Sequence, residues 1–368
     1  MKNILFIVSM LFFTIVPFSG QNHKKEVLEY LAKEMKKEKI PGLQIAVVKN
    51  RKILFSESLG IANVEFSAPV TNNTIFSINS IAKIFTAVAI MQLVEKNNLE
   101  IEKPISVYLD DVPENWGRIT TRQLLSHTSG LPDIESENGD GLISDKGQDS
   151  AWVKVQALPI LSDPGEKFNY NATNYLVLQK IIEKMVELPF EEWVEKSQFR
   201  IAKMNNTKYG NSYDVMKNKA PTYSFYTLDK ATGKHIKGNK LRELYEDFPT
   251  SFRADAGVFT SASDIAQWII ALQDGKFLQH QENVKKMWTP VPLNNGTYEG
   301  FGTLLNAYAL GWPVIRRDAH FAVSALGGGR ASVNIYPDDN LAVILLTNLT
   351  GVETYTIADN ISKMFFKK

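Results

Sequence analysis

Strand-forming sequence stands at both ends of this chain, and mostly helical sequence fills the middle. Near the start, Leu43-Gln-Ile-Ala-Val-Val48 and Ile53-Leu-Phe-Ser-Glu-Ser-Leu-Gly60 flank the polar turn Lys49-Asn50-Arg51-Lys52, which predicts an antiparallel hairpin. Near the end, strands are expected over 308–315, 320–325, 331–336 and 341–347, with Pro337-Asp-Asp-Asn340 turning the last pair. The economical architecture is α/β (α+β): one antiparallel sheet built from both termini and flanked by helices, with a mostly helical region inserted. The chain is expected to form a single domain over residues 21–368, with its sheet part at about 21–72 and 300–368 and the insert at about 73–299.

The terminal helices are predicted over 26–38, from the spacing of Val27, Leu28, Leu31, Ala32 and Met35, and over 352–366. Within the insert, helices are expected at 119–126, 174–186 and 261–272, the last capped by Ser261 or Ser263. His127-Thr-Ser-Gly-Leu-Pro-Asp133 reads as a fixed turn, with His127 in a structural role. Residues 134–150 have the composition of a surface loop. Residues 209–250 are polar but carry Tyr213, Tyr223, Phe225, Tyr226, Tyr245 and Phe248. Two readings stand for them, a pocket roof that contacts substrate or a surface loop pinned by its aromatics.

One stretch of the insert is a candidate for chemistry, although its Ser-x-x-Lys pattern also suits an ordinary core helix with a cap serine and an exposed lysine. Phe76-Ser-Ile-Asn-Ser80-Ile-Ala-Lys83-Ile-Phe-Thr-Ala87 reads as the start of a buried helix capped by Asn79. Residues three apart are neighbours on a helix, so Lys83 faces Ser80. A serine hydroxyl becomes a useful nucleophile when a neighbour shares its proton. A helix start also offers N–H groups to a developing oxyanion.

Composition narrows the alternatives. Forty-one Lys and Arg against 40 Asp and Glu, with no basic block, argue against nucleic acid as a partner. The absence of cysteine excludes disulfides, thiolate metal sites and a lipidated N-terminal cysteine, and five scattered histidines argue against a metal centre. No cofactor is expected. Met1 to about Gly20 has the form of a secretory signal: Lys2, an apolar run from Ile4 to Phe18, then Ser19-Gly20. The mature protein is therefore expected to be periplasmic or secreted, without stable membrane insertion.

With those residues in view, the chain resembles the serine β-lactamase-related superfamily, in the branch of class C β-lactamases, D-alanyl-D-alanine carboxypeptidases and related serine esterases. The resemblance is carried by Pro41-Gly-Leu-Gln-Ile-Ala-Val, by the Ser80/Lys83 helix, and by Leu124-Leu-Ser-His-Thr-Ser-Gly-Leu-Pro132. Pro164-Gly-Glu-Lys-Phe-Asn-Tyr170, Ala256-Gly-Val-Phe-Thr-Ser-Ala-Ser-Asp264, Tyr308-Ala-Leu-Gly-Trp312 and Leu346-Thr-Asn348 extend it. It implies that Ser80 is acylated, that Lys83 shares or removes its proton, and that Tyr170 is the general base. It also implies an oxyanion hole made by the N–H groups of Ser80 and Gly328.

The chain departs from that pattern twice. Where the family has Tyr-x-Asn, Tyr170-Asn171-Ala172 ends in alanine. Where it has a basic residue before a small residue and glycine, Ala325-Leu326-Gly327 has none. Both losses fall on recognition of a substrate amide or carboxylate, so the resemblance implies hydrolysis of a small ester or amide in preference to peptidoglycan-like substrates. A D-Ala-D-Ala carboxypeptidase or β-lactamase, and a weakly active or inert binding protein on the same fold, are the alternatives. Arg330, after three glycines, is open to two readings: it binds a substrate anion in place of the missing base, or it pairs with a neighbouring carboxylate.

Overall fold

The structure, a computed structural model, describes residues 19–135, 148–229 and 232–366. The signal-like segment therefore lies almost wholly outside the described residues, as does most of the loop expected at 134–150. No helix among the described residues is long and apolar enough to cross a membrane.

Thirteen strands are described: β1 (Gly42–Lys49), β2 (Lys52–Asn63), β3 (Ala68–Pro69), β4 (Phe76–Ser77), β5 (Lys208–Tyr209), β6 (Thr222–Asp229), β7 (Lys234–Leu244), β8 (Val258–Thr260), β9 (Ala307–Tyr308), β10 (Pro313–Ile315), β11 (Ala322–Gly327), β12 (Ala331–Tyr336) and β13 (Leu341–Thr347). Eight of them form one sheet in the order β3-β2-β1-β13-β12-β11-β10-β9. The N-terminal β1 pairs antiparallel with the C-terminal β13, Ile45 opposite Leu345, so the two chain ends meet at the sheet centre. The β1–β2 turn has Asn50 at φ 52° and Arg51 at φ 59°, the left-handed pair that suits a two-residue hairpin.

Alternation along the central strands explains their unbroken apolar sequence. Ile45, Val47, Val343 and Leu345 face the helices Ser19–Glu38 and Thr354–Ser362, while Ala46, Val48, Ile344 and Leu346 face the insert. Successive side chains point to opposite faces, and both faces here are covered. Asn348 ties the end of this layer: its Oδ1 accepts from the Gly42 N–H at 2.9 Å and its Nδ2 donates to the carbonyls of Ile61 and Ala62, each at 3.0 Å.

Three departures from expectation are seen. Residues 222–244 fold as the hairpin β6–β7, and the expected strand 308–315 is two short strands. A second, three-stranded sheet, β4-β8-β5, lies within the insert expected to be mostly helical, and its strand β4 delivers the chain to Ser80.

Candidate active site

Strand β4 pairs with β8, Phe76 opposite Thr260, and the Ile78 N–H donates to the Val258 carbonyl at 3.0 Å. The chain then turns through a 3-10 segment, Asn79–Ala82, into the helix Lys83–Glu95. That helix is buried on every side from Lys83 to Leu93, as a helix apolar all round must be. Asn79 does not cap it, contrary to expectation. It stands at φ 42°, and its side chain is engaged by Ser77, Glu246 and Arg330. The tight turn places Ser80 at the rim and Lys83 one turn on, with Lys83 Nζ 3.2 Å from Ser80 Oγ.

Tyr170 arrives from the next layer. Asn171 caps the helix Ala172–Val186, accepting from the Asn174 N–H at 3.1 Å, so its side chain is turned into the cap. The Tyr170 hydroxyl faces Ser80, which acts on its ionisation as a polar neighbour, and Lys83 Nζ lies 4.6 Å from the centre of its ring. Burial, with the Asp255 charge second, raises the Tyr170 phenol well above its ordinary range. Tyr170 is therefore a neutral phenol at rest.

His127 is buried behind this group, its ring 4.2 Å from that of Tyr170. Its Nδ1 lies 3.3 Å from the Asn171 N–H, which donates to it, and 3.0 Å from Asn174 Nδ2. Burial, with help from Lys83, holds its pKa well below the usual histidine range. This is a structural histidine that braces the tyrosine.

Ser80 and Tyr170 open on a cavity of about 170 Å³ that Phe301, Tyr308, Pro313, Ala325, Leu326 and Gly328 complete. Gly328, expected as an oxyanion donor, thus lines the same cavity as Ser80. The approach of β11 to the nucleophile turn requires glycine at 327, where a Cβ would stand 1.8 Å from the Ile78 carbonyl oxygen.

Arg330 does not line the cavity. Its guanidinium is 1% exposed and is spent on Glu246 Oε2 at 2.6 Å, the Ser77 carbonyl at 3.1 Å, Ser77 Oγ at 3.2 Å and Asn79. The substrate-anion reading is corrected: the other alternative, pairing with a carboxylate, is what the fold builds. The aromatics of 209–250 likewise stay off the described cavity. Tyr223 accepts from the Val64 N–H at 2.9 Å, and Tyr213 stacks on Tyr245.

Sequence reasoning missed Asp255, which forms an ion pair with Lys83, the two side chains 9% and 2% exposed. A single acid in a loop carries no periodic signal, and only the fold brings it beside Lys83. Phe301 was missed for the same reason.

A family profile described as Beta-lactamase matches residues 27–364. Penicillin-binding protein 4* of Bacillus subtilis (strain 168) is 29% identical over 278 residues, covering 71% of this chain, and the chain spans 61% of that relative's length. The octameric penicillin-binding protein homologue from Pyrococcus abyssi superposes with a TM-score of 0.75 at 25% identity, covering 91% of this chain and 75% of that one. EstCE1, a hydrolase with promiscuous acyltransferase activity, shares the fold at a TM-score of 0.77 and 19% identity, covering 94% of this chain and 99% of its own.

Proposed function

The chain belongs to the beta-lactamase family, and from that premise we propose that it is a serine hydrolase that forms an acyl-enzyme on Ser80 and cleaves small neutral esters. The observation that carries this reading is the convergence of Lys83 Nζ, at 3.2 Å, and the Tyr170 hydroxyl on Ser80, at the wall of an apolar cavity.

In acylation, Ser80 Oγ bonds to the ester carbonyl carbon and the carbon–oxygen bond to the alcohol breaks. Tyr170 accepts the Ser80 proton as it passes its own to the departing oxygen. A neutral phenol can do this, because a relay gives and takes one proton in the same step. Lys83, as an ammonium, favours negative charge on Ser80 Oγ, and the N–H groups of Ser80 and Gly328 receive the oxyanion. Water then repeats the sequence through Tyr170 and releases the acid.

The substrate class follows from the lining. No charged side chain lines the cavity among the described residues, and Ala325 stands where the resembled family has a basic residue. Roughly 150 Å³ of apolar cavity admits a benzene ring, so about 170 Å³ accommodates an acyl group of about the size of benzoyl. From the signal-like Met1–Gly20 we also propose that the protein is exported.

The test is intact mass after treatment with a fluorophosphonate, beside Ser80→Ala, followed by acetyl, butyryl, benzoyl and dodecanoyl esters and a chromogenic cephalosporin. One adduct on the native protein, none on the variant, and turnover confined to the shorter esters are expected. A folded native protein that takes no adduct overturns the hydrolase reading in favour of an inert binding protein. Faster turnover of the cephalosporin replaces ester hydrolysis with β-lactam hydrolysis.

A further inference from the structure

We propose that Asp255 is the positioning residue of the acylation step: its carboxylate holds the Lys83 ammonium against Ser80 Oγ. This rests on the hydrolase reading above and adds to it a residue outside the Ser80, Lys83 and Tyr170 set.

The geometry begins with Lys83 itself. A lysine reaches its target on a flexible four-carbon stem with three rotatable N–H donors, so something must choose its direction. Two aromatic faces bound it, with the Tyr170 and Tyr175 ring centres 4.6 Å and 5.1 Å from Nζ. Faces alone leave the donor directions open. Asp255 sets a buried countercharge on one side of Nζ, while Ser80 Oγ accepts from it at 3.2 Å. Ala172 and Ala325, at the two positions where the chain departs from its family pattern, offer the site no polar side chain.

Asp255 is itself held from several directions. The Ala254 carbonyl accepts from Thr86 Oγ1 at 2.7 Å, and the Ala254 N–H donates to Gln179 Oε1 at 3.0 Å. Thr86 lies one turn beyond Lys83 on the same helix, so the tie sets the Asp255 segment against the helix that carries Lys83. Arg253 Nη1 donates to the Gly210 carbonyl at 2.7 Å and the Gly257 carbonyl at 3.2 Å. The Asp255 N–H donates to the Phe252 carbonyl at 2.9 Å. A functional side chain whose backbone is fixed this way projects from a defined place. Strand β8 begins three residues later and pairs with β4, which leads directly to Ser80. Nucleophile, lysine and carboxylate are thereby registered on one piece of backbone structure.

The chemical consequence is a matter of charge. A buried ammonium is tolerable only with a partner, and a partner of the same shape without charge does not replace it. Asparagine at 255 keeps the size and an acceptor oxygen but removes the countercharge. Glutamate keeps the charge at a longer reach.

The experiment measures fluorophosphonate labelling of Ser80 by intact mass over time and reagent concentration, for wild type, Asp255→Asn, Asp255→Glu and Asp255→Ala, with a melting curve for each. Expected are a fall of 100-fold or more in the maximal labelling rate for Asp255→Asn and Asp255→Ala, an unchanged half-saturating reagent concentration, and at least a tenfold recovery in Asp255→Glu over Asp255→Asn. If Asp255→Asn does not fold, Asp255→Glu against wild type decides: labelling within tenfold of wild type supports the proposal, and a 100-fold loss overturns it. A folded Asp255→Asn within threefold of wild type, a loss confined to half-saturation, or folded variants that are equally poor also overturn it. Absence of labelling in wild type takes down the hydrolase reading, and this proposal with it. That result is separate from a labelled wild type whose Asp255 variants label equally well.

Discussion

Glu246 Oε2 stands 2.6 Å from the guanidinium of Arg330, and the pair spans the turn that leads into Ser80. Its other carboxylate oxygen accepts from Asn79 Nδ2 at 2.9 Å, while Arg330 reaches the Ser77 carbonyl at 3.1 Å. The residues just before the nucleophile are thus held by a strand-end arginine and a glutamate that follows the β6–β7 hairpin.

Arg330→Met is expected to cost about 3 kcal/mol of folding stability, because removing one partner strands the other in a mostly buried site. Urea unfolding reads the loss directly. In steady-state assays the KM values of an anionic and a neutral ester should shift by the same factor. A selective rise for the anionic ester would restore the substrate-anion role, and a stability loss below about 1 kcal/mol would deny the clamp.

Tyr170→Phe keeps the ring against His127 and removes the hydroxyl that faces Ser80. A relay lost in this way costs about 10²–10⁴ in rate. The expected result is slowed fluorophosphonate labelling with a melting temperature within a few degrees of wild type. Undiminished labelling would show that Tyr170 is not the proton relay.

His127 gives the native state a pH dependence of known sign. Its pKa is held well below the ordinary 6.5 by burial and by Lys83, so below about pH 6.5 the unfolded chain takes up a proton that the folded chain refuses. Stability therefore falls as pH drops through that range, by up to about 1.4 kcal/mol per unit from this group. NMR of the His127 ring should show it neutral throughout the folded range. A ring that titrates near 6.5 in the folded protein would contradict the burial argument.

How much of this was legible in the sequence depended on how local the cause was. The central strands β1 and β13 announced themselves through apolar runs, and the Lys83 helix through its buried body. The turn Asn50-Arg51 followed from its polar residues between two strands. Strand β7 was not read because its residues are nearly all exposed, so no apolar alternation marks it. The strand expected at 308–315 breaks at Gly311, whose φ of 86° no strand accommodates. Asn79 looked like a helix cap because Arg330 and Glu246, which engage its amide, are distant in sequence. Asp255 and Lys83 are likewise joined only by the fold.

Asp133 runs opposite to His127. Burial pushes its pKa up to about 6, although its Oδ1 accepts from the Ala172 N–H at 3.0 Å and the Glu135 N–H at 3.1 Å. A carboxyl raised above its unfolded value of 3.8 costs stability in full above about pH 6, and that cost vanishes once both states are protonated. Asp133→Asn retains an acceptor oxygen for the two N–H groups and discards the buried charge. The variant is expected to gain on wild type by about 1–3 kcal/mol between pH 4 and pH 7. Urea unfolding at both pH values measures the difference. A gap that stays constant with pH, or narrows toward pH 7, would mean that Asp133 is charged in the folded protein at no cost, and that the N-terminus of the Ala172–Val186 helix repays its burial.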